Sequence, residues 1–259
     1  MEMPCLFTEG HRYAVAFSGG LDSTVLLYLG HETLGDDVVA LLGVGPNFPR
    51  SEQLEAEEFC RNNHISLIKI PFDCTAVPEF VRNTGERCYY CKRALFTLFK
   101  AVAEQLGAQL VDGTNLTDND DYRPGRRAAE ELGVESPFLK ARMGKKEIRD
   151  LARQLGLAVW QKPSMACLAS RIPYGSEITA SLLKKIDGAE TEIRRLGYVQ
   201  VRIRVLSDTE LRVELEPFEE KDGEKITDIV VPLGCTIHMC GGAVSFSLLA
   251  MFNMQMIGM

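Results

Sequence analysis

The sequence predicts an α/β fold: a mainly parallel sheet in a first domain over residues 1–172 and a second, smaller α+β domain over residues 173–259. Three observations carry that prediction. Short apolar runs alternate with helical patterns from Ala14 to Val111, the spacing of strands joined by crossover helices. The first run, Ala14-Val15-Ala16-Phe17, passes through Ser18-Gly19-Gly20-Leu21-Asp22-Ser23 into Thr24-Val25-Leu26-Leu27, which reads as strand, tight turn and helix. Beyond the irregular segment Trp160–Gly175, with its two prolines and the only tryptophan, the pattern changes to one long helix and two alternating runs.

The elements follow in order. After the first helix Gly35-Asp36-Asp37 breaks the chain, and Val38–Leu42, closed by Gly43, suits a central strand buried on both faces. Ser51–Asn63 reads as a helix capped by Ser51 with acidic first turns, and Ile65–Ile70 as the next strand. Cys91–Leu106 carries Leu95, Phe99, Val102 and Leu106 on one helical face; Gly107 stops it and Gln109-Leu110-Val111 supplies a further strand. From Leu116 the polar stretch through Asp118, Asp121, Arg123 and Arg127 reads as a mobile functional loop. Lys145–Leu155 is a helix ended by Gly156. In the second domain a helix over Ala180–Leu196 is entered through Thr179, and Tyr198–Val205 and Glu210–Glu216 form a strand pair. Arg202 and Arg204 then share one face, because the strand period is two; they are either solvated charge or a clamp for phosphate or carboxylate.

The first loop has the chemistry of an anion site. Two glycines let the backbone turn tightly and approach a ligand, and the N–H groups opening the next helix present its positive end. Ser18 and Ser23 add hydroxyls, and Asp22 a carboxylate able to hold magnesium beside phosphates. It is neither a Walker loop nor Gly-x-Gly-x-x-Gly. Ser18-Gly19-Gly20-Leu21-Asp22-Ser23 resembles the pyrophosphate loop of the PP-loop ATP pyrophosphatases, which cleave ATP between its α and β phosphates and adenylate a substrate. That resemblance implies an adenine nucleotide α-hydrolase-like, Rossmann-like first domain, with ATP held by Ser18, Gly19, Gly20, Asp22 and Ser23. Asp112-Gly113-Thr114-Asn115 follows a later strand, so Gly113 and Thr114 are expected to face the same nucleotide pocket.

Length, charge and cysteine usage bound the partners. At 259 residues the chain is long enough for a sizeable core, and its net charge of −7 without a long Lys/Arg block gives no electrostatic footprint for nucleic acid. No segment has the form of a signal peptide or approaches the roughly 20 apolar residues of a membrane span, so a cytoplasmic protein without a membrane partner is expected. Its eight cysteines are then buried thiols, metal or cluster ligands, or reactive groups rather than disulfides.

Two cysteine constellations carry chemistry. Cys88-Tyr89-Tyr90-Cys91 opens a helix, where the dipole favours thiolate; a redox dithiol, half of a metal site and two incidental cysteines all fit the spacing. Cys167 sits in a Pro/Ala-containing loop with Arg171 near. The segments Arg87-Cys88-Tyr89-Tyr90-Cys91-Lys92, Asp112-Gly113-Thr114-Asn115, Asp121-Tyr122-Arg123-Pro124-Gly125 and Cys167-Leu168-Ala169-Ser170-Arg171-Ile172-Pro173-Tyr174-Gly175 are together similar to the LarE family of ATP-dependent sulfur transferases, in the same order over most of the chain.

That resemblance implies an enzyme of nickel-pincer cofactor biosynthesis. LarE-type enzymes adenylate a carboxylate of pyridinium-3,5-biscarboxylic acid mononucleotide and replace the adenylate with a thiocarboxylate. The sulfur comes either from a cysteine matching Cys167 or from a 4Fe-4S cluster on three cysteines; Cys88, Cys91 and Cys167 resemble the cluster branch, and the sacrificial route stays open. Asp22, Cys167, Arg171 and Glu190 are the implied catalytic residues, and Ser170, Arg171, Arg202 and Arg204 the implied substrate site. A small nucleotide substrate, a homo-oligomer and a nickel-inserting partner downstream complete the expectation. Rival readings are an NAD synthetase-like amidating ligase, a tRNA thiolase, and a non-catalytic ATP-binding or iron-sulfur sensing module. The ending departs from the family pattern: Cys240-Gly241-Gly242-Ala243 runs into an apolar, Met-rich tail where a Gly-Tyr-Arg-x-Gly-Ser-like motif is expected.

Overall fold

A computed structural model describes residues 6–120, 124–164, 166–206, 210–216, 235–240 and 247–252. The chain divides into two compact units, Met1–Met165 and Ala166–Met259. In the first, β1 (Arg12–Phe17), α1 (Leu21–Leu34), β2 (Val38–Val44), α2 (Arg50–Asn62) and β3 (Ser66–Pro71) lead to a short α3 (Pro78–Val81) and the long α4 (Arg87–Gln105). Then come β4 (Ala108–Val111), α5 (Pro124–Glu131), α6 (Pro137–Lys140) and α7 (Lys145–Gln154).

Every pairing between these strands is parallel, in the order β3-β2-β1-β4. The apolar runs explain the central positions: Ala14, Val15, Ala40 and Leu41 have no exposed surface, as a strand covered on both faces requires. Val25, Leu26 and Leu27 of α1 are equally buried, and each such side chain contributes about 1.5–3 kcal/mol on removal from water. The order of the strands fixes where a ligand belongs. From β1 the chain moves outward through β2 and β3, then returns to β4 on the other side of β1. The direction of winding therefore reverses between β1 and β4, and the crevice beyond their carboxyl ends is the binding position of an open α/β sheet.

The second unit holds α8 (Ala180–Arg195), β5 (Gln200–Val205), β6 (Glu210–Glu216), β7 (Cys235–Cys240) and β8 (Ser247–Phe252), the strands forming an antiparallel sheet in the order β5-β6-β8-β7. Thr179 caps α8 as its position suggests, its hydroxyl accepting from the Leu182 N–H at 3.2 Å. Beyond the expected strand pair, two further strands come from the C-terminal stretch read as an apolar tail, β7 with a short alternation and β8 almost wholly apolar.

Other details differ from the sequence reading. Pro49, not Ser51, precedes the first turn of α2, and α4 begins at Arg87, so that Cys88 lies in its first turn and Cys91 opens its second. The polar stretch after Leu116 is ordered where described: a 3-10 turn spans Leu116–Asp120, and α5 follows, held by the i,i+4 pairs Arg126–Glu130 and Arg127–Glu131 and by buried Ala128 and Ala129. Asp121, Tyr122 and Arg123 of that stretch, and Gly241, Gly242 and Ala243 of the tail, lie outside the described residues. Among the described residues no helix is long and apolar enough to cross a membrane.

Candidate active site

The loop after β1 is shaped by its own small side chains. Gly19 adopts φ +72°, a conformation that favours glycine, and its absent Cβ would lie 3.1 Å from the Cβ of Ala56 on α2. Gly20 caps α1 without a side chain, which leaves the first-turn N–H groups of the helix facing the loop mouth rather than a capping hydroxyl. Ser23 takes a different task. Its hydroxyl donates to the Gly20 carbonyl at 3.2 Å, accepts from the Ser18 N–H at 3.2 Å and lies 3.0 Å from the Ser18 hydroxyl. The result is a tight hydroxyl-lined turn on a helix N-terminus, the arrangement that receives phosphate.

The loop after β4 closes on it. Gly113 packs so tightly against α1 that a Cβ there would stand 2.8 Å from the Ser23 backbone nitrogen and 2.9 Å from the Asp22 carbonyl carbon. Asp112, just before it, is buried and accepts from Lys92 Nζ at 3.1 Å, from the Thr114 N–H at 3.1 Å and hydroxyl at 2.9 Å, and from the Ser136 hydroxyl at 2.7 Å. Burial alone would raise its pKa; the Lys92 charge and these hydrogen bonds outweigh that and hold the carboxyl below its ordinary value. The two loops thus touch, the Thr114 hydroxyl being spent on Asp112 and Gly113 acting by letting the loops meet.

Three lysines to which the sequence reading gave no role tie this edge together. Lys92 ends the Arg87–Lys92 segment and anchors α4 to Asp112. Lys145, the first residue of α7, reaches Asp22 at 3.3 Å. Lys162 meets the Gly19 carbonyl at 3.1 Å and Glu52 and Glu55 of α2 at 2.7 Å each. Asp22 is one half-buried carboxylate beside a phosphate-shaped turn. That donor set fits magnesium, which takes one or two protein carboxylates and fills its other positions with phosphate oxygens and water.

Cys88 and Cys91 lie at the same edge, one exposed and one half-buried, three residues apart on α4. Buried Asn47, from the loop after β2, donates its side-chain amide to the Cys91 sulfur at 3.8 Å. Among the described residues of this unit, no third Cys, His, Asp or Glu joins the two cysteines in a metal-binding group.

In the second unit Cys167 begins a 3-10 turn, Leu168–Arg171, whose last side chain is wholly buried. Arg171 donates through Nε to Glu190 Oε1 at 2.8 Å and through Nη2 to Oε2 at 3.1 Å, while Nη1 reaches the Ala166 carbonyl and Ser170 hydroxyl, both at 2.9 Å. Glu190 further accepts from Arg194 at 2.8 Å and from the Ile203 N–H of β5 at 3.0 Å. The Cys167 turn is thereby tied to α8 and to the sheet. Val201 and Ile203 fill the covered side of β5, and Arg202 and Arg204 share the opposite side as the strand period requires. Arg204 pairs with Glu214 at 2.7 Å and donates to the Ser170 carbonyl at 3.3 Å, bringing the arginine face to the Cys167 turn.

No family model matches the chain. Among curated proteins it is 33% identical, over 206 residues covering 79% of its length and 74% of the relative, to the pyridinium-3,5-bisthiocarboxylic acid mononucleotide synthase of Lactiplantibacillus plantarum. The chain belongs to the LarE family. Two relatives named only as uncharacterised proteins also match. One from Synechocystis is 39% identical over 82% of this chain and 79% of its own, and one from Methanocaldococcus jannaschii is 32% identical over 76% and 74%.

Proposed function

We propose that this LarE-family chain is an ATP-dependent sulfur transferase of nickel-pincer cofactor biosynthesis. It adenylates a carboxylate of pyridinium-3,5-biscarboxylic acid mononucleotide with release of pyrophosphate, then exchanges AMP for sulfur to give the thiocarboxylate. The relative from Lactiplantibacillus plantarum, named as the synthase of the bisthiocarboxylic acid mononucleotide, supports the substrate. The observation that carries the ATP half is the contact of Gly113 with Asp22 and Ser23, which builds a phosphate-shaped turn at the switch point of the sheet.

The residues divide the work by chemistry. Ser18, Gly19, Gly20, Ser23 and the N-terminus of α1 receive the departing pyrophosphate, with N–H and hydroxyl donors fixed in advance of the charge that develops. Magnesium, held by Asp22 with the phosphates, supplies neutralisation of that charge. Arg202, Arg204 and Ser170 bind the substrate's phosphate and free carboxylate, for which the guanidinium fork is well shaped. Arg171 and Glu190 hold the turn that carries Cys167. The sulfur comes from Cys167 itself or from a 4Fe-4S cluster on Cys88, Cys91 and Cys167.

The Cys167→Ala variant tests the assignment. It is expected to release pyrophosphate when given ATP and the biscarboxylic mononucleotide while forming no thiocarboxylate. Normal thiocarboxylate formation by that variant would sink the reading. Iron and acid-labile sulfide on anaerobically purified protein, beside Cys88→Ala, then separate the two sulfur sources: iron lost in the variant means the cluster, and no iron means Cys167 as a single-use donor.

A further inference from the structure

Among the described residues, Lys162 is the lysine of this edge with the most acceptors around its ammonium. It has three N–H donors and three acceptors at bonding distance: the Gly19 carbonyl at 3.1 Å, Glu52 at 2.7 Å and Glu55 at 2.7 Å. Its backbone is fixed as well, the Lys162 N–H donating to the Val159 carbonyl at 3.0 Å at the end of the Ala158–Gln161 turn. Two carboxylates offset its charge, and its side chain is 16% exposed against 13% for Glu52. A lysine meant to meet the nucleotide's phosphates would not be neutralised twice by carboxylates of α2.

What it grips is the peptide that matters. The bond from Gly19 to Gly20 is planar and trans, so its carbonyl and its N–H point in opposite directions. Lys162 takes the carbonyl on the α2 side. The Gly20 N–H is then turned to the other side, where it donates to Ser18 Oγ at 3.4 Å on the hydroxyl-lined mouth. Glycine at φ +72° gives this peptide little resistance of its own to rotation, since both neighbours lack a Cβ.

We propose that Lys162 is a positioning residue of the pyrophosphate loop: by holding the Gly19 carbonyl against Glu52 and Glu55 it keeps the Gly20 N–H aimed at the bound phosphates. The role rests on the reading of this loop as the ATP site. It makes Lys162 matter for ligands carrying a pyrophosphate and leaves recognition of the rest of the nucleotide alone. It also makes Glu52 a contributor to anion binding, although its own charge opposes an anion.

Calorimetric titration of the full chain with magnesium pyrophosphate, ATP and AMP tests it in three proteins: unaltered, Lys162→Met and Glu52→Gln. Lys162→Met is expected to bind pyrophosphate and ATP about tenfold more weakly, the size of one lost charge-assisted hydrogen bond, and AMP within about twofold of the unaltered protein. Glu52→Gln is expected to weaken pyrophosphate binding in the same direction, and it decides the matter alone if Lys162→Met does not fold. Unchanged pyrophosphate affinity in Lys162→Met overturns the role, and so does an equal loss for AMP, which would mark a general disturbance. Tighter pyrophosphate binding by Glu52→Gln overturns it by making Lys162 a direct phosphate ligand. If the unaltered protein binds neither ATP nor pyrophosphate, the ATP reading of the site falls first and the role of Lys162 with it.

Discussion

Arg171 and Glu190 form a two-pronged ion pair, 2.8 and 3.1 Å, with neither side chain exposed at all. Such a pair is not in itself a large source of stability, because both ions lost their water to form it. Breaking it is another matter. Either single change, Arg171→Met or Glu190→Gln, leaves a buried group short of its partner and is expected to cost about 3–5 kcal/mol in urea unfolding. The double variant is expected to cost clearly less than the sum of the two. Additive losses in that cycle would show that the residues do not act as a unit.

Asp112 should give the first unit a marked acid sensitivity. Its folded pKa lies below its ordinary value of 3.8, so the stabilisation is complete above that value and is lost as pH falls through the folded pKa. Asp112→Asn is expected to destabilise by about 2 kcal/mol at neutral pH, where Lys92 loses its counter-charge. The gap to the unaltered protein should begin to narrow below about pH 4 and close only as pH falls through the lowered folded pKa, where the native aspartate too becomes neutral. Melting temperatures of the two proteins from pH 3 to 7 check it; a gap that stays constant would remove Lys92 and the hydrogen bonds from the account.

The parallel sheet and the first loop were legible because both are written locally, in apolar runs and in six consecutive residues. The lysines that complete the site were not. Lys145 and Lys162 meet Asp22 and Gly19 across 123 and 143 residues of chain, and nothing in a local pattern announces such a pairing. Lys92 and Lys162 do lie inside the segments Arg87–Lys92 and Trp160–Gly175, but position within a segment does not show what a side chain reaches. Glu190 reads as a mid-helix carboxylate; only the turn carrying Arg171 and the N–H of Ile203 make it the hub of its unit. β8 escaped notice because Leu248–Phe252, a run apolar throughout, does not show which face is covered, whereas the short alternation Thr236-Ile237-His238-Met239 of β7 was there to be read.

Burial should sort the cysteines by reactivity. Desolvation pushes the Cys60 thiol up to about 12, so it stays protonated, and unreactive as a nucleophile, at any pH below that. Cys74 is buried as well, whereas Cys88 is exposed. Brief treatment with iodoacetamide at pH 8, read by peptide mass spectrometry, is expected to label Cys88 and to spare Cys60 and Cys74 until denaturant is added. Labelling of Cys60 at the rate of Cys88 in the folded protein would mean that α2 opens readily from the sheet.

Gly113 and Gly19 are both without a Cβ, yet replacing them should fail for different reasons. At Gly19 an alanine must adopt φ +72°, which costs about 1–2 kcal/mol, and must also press on Ala56 at 3.1 Å. At Gly113 no unusual φ is required, and the obstacle is the backbone of α1: the new methyl would stand 2.8 Å from the Ser23 nitrogen. Backbone cannot swing aside as a side chain can, so Gly113→Ala must push the loop after β4 away from the N-terminus of α1, which also carries Asp22 and Ser23. The expected result is a fall of at least about a hundredfold in pyrophosphate release, the scale on which small misplacements of catalytic groups act. The thermal midpoint should drop by only a few degrees, since the core beneath α1 is untouched. Release at the unaltered rate would show that contact between the two loops is dispensable, and with it the argument that places the nucleotide at the switch point of the sheet.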